Sequence, residues 1–163
     1  LTQVPPTATP TPLPTATPTS TPTPVPPTPT QTPVPTYTII EGQILDTDTT
    51  WTTEDSPYLA AASIKVSEGT TLTIEPGVEI SFESNAWLEV EGVLRAVGSE
   101  ERPILFTGLN GNDWRGIRFR DSSADYLDGA GSILEYVHLN DGECYDFPLV
   151  YISEASPKIS KNQ

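Results

Sequence analysis

The sequence predicts an all-β fold, a short parallel β-helix with three strands to a coil, preceded by an extended polyproline-II-like arm. Three observations lead there. Strand-length apolar alternations recur between turn residues from Tyr37 onward, with no long helical periodicity. Four of them, Ile64-Lys65-Val66, Leu72-Thr73-Ile74, Ile80-Ser81-Phe82 and Leu88-Glu89-Val90, each begin eight residues after the last. No Asn-Gly hairpin joins these early strands; the one such pair, Asn110-Gly111, sits inside a longer loop.

Each of the four segments places two apolar side chains on one face and a polar one on the other. Gly69, Gly77 and Gly92 mark turns between or after them. Three eight-residue steps make one coil, so residues one coil apart stack: Ile64 over Leu88, Leu72 near Leu94, Ile80 over Ile104. Further strands are expected at Leu94 to Ala96, Ile104 to Phe106, Ile117 to Phe119, Ile133 to Leu139, Leu149 to Ile152 and Pro157 to Ser160. Residues 37–62 read as an N-terminal cap region and 63–163 as coils.

The arm, residues 1–36, holds 13 Pro and 13 Thr and no charge. Proline fixes φ and drives its predecessor out of the α region, which favours polyproline II. At about 3.1 Å per residue the arm spans roughly 110 Å when extended. Thr beside Pro suits O-glycosylation in a mucin-like stalk. The candidate acceptors are Thr7, Thr9, Thr11, Thr15, Thr17, Thr19, Thr21, Thr23, Thr28, Thr30 and Thr32.

All 22 acidic and 8 basic residues fall in the body, giving it the net charge of −14. That surface repels nucleic acid and anionic lipid, and Lys and Arg cluster nowhere beyond Arg115, Arg118 and Arg120. No stretch approaches the roughly 20 apolar residues a membrane helix needs. Cys144 is the single cysteine, so neither an intrachain disulfide nor a Cys-based metal site is expected. Its acidic neighbours raise rather than lower a thiol pKa, which argues against a nucleophile. The sequence begins at Leu1, which reads as a processed or partial product. Ser156 to Asn162 reads as the middle of a coil, so the body is expected to be part of a longer solenoid or to have its open end covered by another copy.

Several segments resemble the bacterial extracellular parallel β-helix proteins of the pectate-lyase-like, right-handed group. They are Asp48-Thr49-Thr50-Trp51, Ser56-Pro57-Tyr58-Leu59, Leu72-Thr73-Ile74-Glu75-Pro76-Gly77-Val78, Pro103-Ile104-Leu105-Phe106-Thr107, Trp114-Arg115-Gly116-Ile117 and Leu134-Glu135-Tyr136-Val137. The resemblance runs from about residue 42 to the C-terminus and implies a right-handed helix. It says little of activity, because that fold carries enzymes and inert fibres alike. Members that cleave polysaccharides use clustered Asp residues with or without calcium and a catalytic Arg, or paired Asp motifs with a Gly-His-Gly segment. Neither pattern stands in this sequence.

The candidate site residues are correspondingly sparse. Arg118 and Arg120 alternate with Ile117 and Phe119 and so share the outer face, where a solvated charged surface is expected. His138 occupies an ordinary strand position. Asp121, Asp125 and Asp128 share a loop and offer hard oxygen ligands, making calcium the one candidate cofactor. A second acidic loop holds Asn140, Asp141, Gly142 and Glu143 with Asp146. Trp51 and Trp114 are expected to pack as caps or coil corners, and Trp87, opening a strand, to face outward as a candidate carbohydrate contact.

These residues favour a non-enzymatic extracellular or cell-surface protein, structural or adhesive, with a filament as one form of assembly. The expected partners are copies of itself, head-to-tail or through the arm, and surface glycans, with no nucleic acid and no membrane insertion. A β-helix lyase or hydrolase fragment and a carbohydrate-binding module are the alternatives.

Overall fold

A computed structural model describes residues 36–127, 129–142 and 148–163. These belong to one of the two units into which the chain divides, Val34–Gln163. The eleven threonine candidates of the arm, Asp128, Glu143, Cys144 and Asp146 lie outside the described residues.

The described residues wind through five coils of three short strands. The first carries β1 (Thr38–Ile40), β2 (Ile44–Leu45) and β3 (Thr49–Trp51). The second carries β4 (Tyr58–Ala60), β5 (Ile64–Val66) and β6 (Thr71–Ile74). The third has β7 (Glu79–Phe82), β8 (Leu88–Val90) and β9 (Val93–Val97). The fourth has β10 (Ile104–Gly108), β11 (Ile117–Phe119) and β12 (Ile133–Glu135), and the fifth β13 (Val137–Leu139), β14 (Val150–Ile152) and β15 (Lys158–Ser160). Every third strand pairs in parallel, giving three five-stranded sheets: β1-β4-β7-β10-β13, β2-β5-β8-β11-β14 and β3-β6-β9-β12-β15. This is a right-handed parallel β-helix.

The alternation seen in the sequence becomes the inside and outside of this solenoid. In β4, β5, β8 and β11 both flanking residues are buried and the middle one is not. Ile64 pairs with Leu88, three eight-residue steps on, and Leu72 with the nearby Leu94 expected of it. Ile80 departs from the prediction, pairing with Phe106 instead of Ile104. The turn between β9 and β10 is longer than that between β6 and β7 in the coil before, and the register moves by two from the expected one, which keeps the side chains on their expected faces. The expected strand Ile133 to Leu139 is two strands in different sheets. Tyr136, at φ 51°, turns the corner between them, an unusual backbone for a bulky residue. Segment 37–62 already contributes β1 to β4 to the ladders.

The interior is largely aliphatic and holds an aromatic stack: the Phe82 and Trp114 ring centroids lie 4.5 Å apart, and each is 6.1 Å from Phe106. Trp114 is fully buried, and its Nε1 donates to the Asn140 carbonyl at 2.7 Å, so its one polar atom is satisfied. Burying each large apolar side chain contributes roughly 1.5–3 kcal/mol. Close stacking of corners needs glycine at Gly116, where φ is +75° and a Cβ would lie 2.2 Å from the Leu149 carbonyl oxygen. The excursion between β11 and β12 is tied down by buried hydroxyls. Ser123 Oγ donates to the Gly92 carbonyl at 3.1 Å, and Ser132 Oγ accepts from Leu94 N at 3.1 Å. No helix among the described residues is long and apolar enough to cross a membrane.

Candidate functional site

Parallel stacking aligns outward side chains into ladders, so the solenoid's surface chemistry is set by what successive coils place in register. On the second sheet Lys65, Glu89, Arg118 and Tyr151 stand in line. Arg120 Nε and Nη2 both donate to Glu89 Oε2, at 3.0 and 2.5 Å, and Lys65 Nζ pairs with Glu91 at 2.7 Å. The hydrogen bond to Glu89, opposed by partial desolvation, holds the Arg120 pKa above its ordinary value. Arg118 and Arg120 thus share the outer face, as expected from the sequence. Trp87 is half-buried at the start of this ladder, but Arg118 Cζ lies 4.7 Å from its ring centroid. One face of its ring is therefore taken by a guanidinium.

The third sheet ends in a second charged cluster. Glu135 accepts from Lys158 at 3.2 Å and pairs with Lys161 at 3.0 Å. Lys161 Nζ also lies 4.7 Å from the Tyr136 ring centroid, and Lys158 Nζ 5.5 Å from that of Tyr126. The hydrogen bonds from Lys161 and then Lys158 lower the Glu135 pKa, and the bond to Glu135 raises that of Lys161. Both ladders carry their ion pairs between coils, along the direction in which strands stack.

Beside this cluster, where the third sheet turns into the first, lies a cleft of about 450 Å³ lined by Ser99, Glu100, Tyr136, His138, Lys161, Asn162 and Gln163. It spans three coils. The longer corner at Ser99–Arg102 stands proud, while the next corner is reduced to Tyr136. His138 lies in β13 as the sequence predicts, with its side chain on the outer face and half-buried in this cleft. The sequence reading missed the cleft because its residues meet only once corner lengths fix the register.

The remaining candidates stay apart. Asp121 Oδ1 accepts from Ser122 N at 3.0 Å, and Asp125 Oδ1 from Ser156 N at 2.7 Å, so each carboxylate serves its own stretch of backbone. Asp141 Oδ2 accepts from Thr107 Oγ1 at 2.5 Å. Among the described residues no group of three or more His, Cys, Asp and Glu side chains is arranged to hold a metal ion. Trp51 and Trp114 are both buried, in keeping with the packing roles expected of them.

The fifth coil presents a further surface. Ile152 and Ile159 occupy inward positions of their ladders yet are exposed. The outer edges of β14 and β15 pair with no further strand among the described residues, whereas β13 is bonded by Gln163, whose carbonyl accepts from Leu139 N at 2.9 Å and whose N donates to the Val137 carbonyl at 3.0 Å. Exposed apolar side chains beside unpaired strand edges are what another β-structure binds.

No family model matches this sequence, and no solved structure matches it. Among curated proteins, the Drosophila melanogaster protein bark beetle is similar, 42% identical over 70 residues. The match takes in 43% of this chain and 2% of that protein's length. The chain therefore spans a small fraction of the relative it matches.

Proposed function

We propose that this chain is a non-enzymatic structural or adhesive element of an extracellular or cell surface, a β-helix carried on a Pro/Thr stalk and associating with copies of itself. The observation that carries the reading is the use of the outward charges. Glu89, Glu91 and Glu135 and the basic groups facing them join neighbouring coils. Carboxylates and cations so engaged reinforce a rod; an acid–base pair for catalysis needs them convergent on a reacting atom. The exposed Ile152 and Ile159 of the fifth coil support association. Electron microscopy and sedimentation of purified protein test it: assemblies ending or joining at this coil are expected, and dispersed monomers at every concentration would overturn it.

A carbohydrate-binding role is the second reading, and the cleft at His138 favours it over Trp87, whose ring Arg118 covers. Neutral and acidic glycans titrated against the His138 ring signals by NMR test this reading. Shifts confined to Trp87 would move the contact back there, and no shifts at all would end it.

A further inference from the structure

We infer that Asn110 is a site of spontaneous deamidation through a cyclic imide with Gly111. The Asn-Gly pair lies in a 3-10 turn, Leu109–Gly111, between β10 and β11, with Asn110 at φ 55°, ψ 31°. Both residues are exposed. A Cβ built on Gly111 meets nothing within 4 Å, and glycine rotates freely where other residues are hindered. That open space allows the backbone to turn about the Asn110–Gly111 junction until the Gly111 nitrogen faces the Asn110 side-chain carbonyl carbon.

Other asparagines of the described body are held or hindered. Asn85 Oδ1 accepts from Arg115 Nε and Nη2 at 3.1 and 2.7 Å, and Ala86 follows it, buried. Asn162 uses both ends of its amide, accepting from Val137 N at 2.8 Å and donating to the Leu134 carbonyl at 3.0 Å. Asn112 and Asn140 each precede an aspartate, whose side chain crowds the attacking nitrogen and whose charge opposes its deprotonation. The Asn110 side chain has no hydrogen bond to another described residue, and its successor is glycine.

The step balances without a co-reactant other than water. The Gly111 nitrogen loses its proton and bonds to Asn110 Cγ; the Cγ–Nδ2 bond breaks and ammonia leaves with that proton. Water then opens the imide at either carbonyl, giving aspartate or an isoaspartyl linkage. The product adds one negative charge to a chain already at −14. The iso-linkage also inserts a backbone carbon into a tightly folded turn, in which a Cβ on Gly108 would fall on the Asn112 carbonyl oxygen. That turn leads directly to Trp114 and its stack on Phe82, so lengthening it loosens the packing there.

The test is incubation of the folded protein in mildly alkaline buffer, with peptide mapping by mass spectrometry and enzymatic labelling of isoaspartate. Conversion is expected at Asn110 ahead of Asn85, Asn112, Asn140 and Asn162, and is expected to slow severalfold in Asn110→Gln and Gly111→Ala. A synthetic peptide spanning residues 105–115, in the same buffer, supplies the unfolded rate. If the peptide converts while folded Asn110 does not, or if another asparagine leads, the assignment is overturned.

Discussion

In the first coil the inward residues Leu45 and Trp51 are 6% and 4% exposed; at the equivalent ladder positions of the last coil, Ile152 and Ile159 are both 43% exposed. The register runs unbroken between them, from Leu45 through Val66, Val90 and Phe119 to Ile152, and from Trp51 through Ile74, Ala96 and Leu134 to Ile159. The same ladder positions are thus buried in the first described coil and partly exposed in the last. Trp51 shows part of how closure is made. Its ring stacks on Tyr58 at 5.4 Å, and the Tyr58 hydroxyl accepts from Thr52 N at 2.9 Å. A broad ring pinned in this way shields more apolar surface than an isoleucine on an edge strand. The contrast teaches that an inward position of a repeating core is buried only where a neighbouring coil or a specific side chain covers it.

The interior marks the upper limit of this comparison. Trp114→Ala removes a fully buried indole from the Phe82–Phe106 stack, and an unfolding free-energy loss of about 3–5 kcal/mol is expected in urea titration. A loss below about 1 kcal/mol would show that the stack is not a packed core. The two ends are then set against each other at one ladder position. Trp51→Ala should cost roughly 3 kcal/mol or more, whereas Ile159→Ala should cost under about 1 kcal/mol, because its side chain is already partly in water. Equal costs would mean that the last coil is as closed as the first.

A charge placed on the fifth coil separates stability from association. Ile159→Lys should abolish concentration-dependent sedimentation while leaving the unfolding midpoint within about 0.5 kcal/mol of wild type. Persistent association would place the contact elsewhere. The smallest effect is electrostatic. Glu135 has a lowered folded pKa, so its contribution is present above the unfolded carboxylate pKa and is lost as pH falls through the lower folded value. Acid titration should therefore loosen β15, seen as faster amide exchange. Glu135→Gln should show that loosening already at neutral pH and flatten the acid response; an unchanged pH profile in the variant would remove Glu135 from the account.

Much of the fold was legible because the chemistry repeats at a constant interval. Ile64 over Leu88 follows from equal turns alone, and Leu72 falls on the nearby Leu94. Legibility ended where a turn changed length, as between Ile80 and Phe106, or where a corner carried no glycine. Tyr136 is β-prone by composition, and only tertiary packing holds it at positive φ. The surface was less legible than the core. That Trp87 reaches the outer face follows from alternation, but the guanidinium over it depends on Arg118 arriving from the next coil. His138 read as a strand residue, which it is; its cleft depends on corners at Ser99 and Lys161 far away in sequence. The exposure of Ile152 and Ile159 was not legible, because it depends on what packs beside their coil.

The most direct test of association through the fifth coil is native-state hydrogen exchange followed at low and high protein concentration. The account predicts that amides of β14 and β15 exchange quickly in dilute solution and gain protection as concentration rises, while those of β4 to β11 stay equally protected throughout. Protection in the last coil that is independent of concentration, or as strong as in β4 to β11 from the outset, would contradict it.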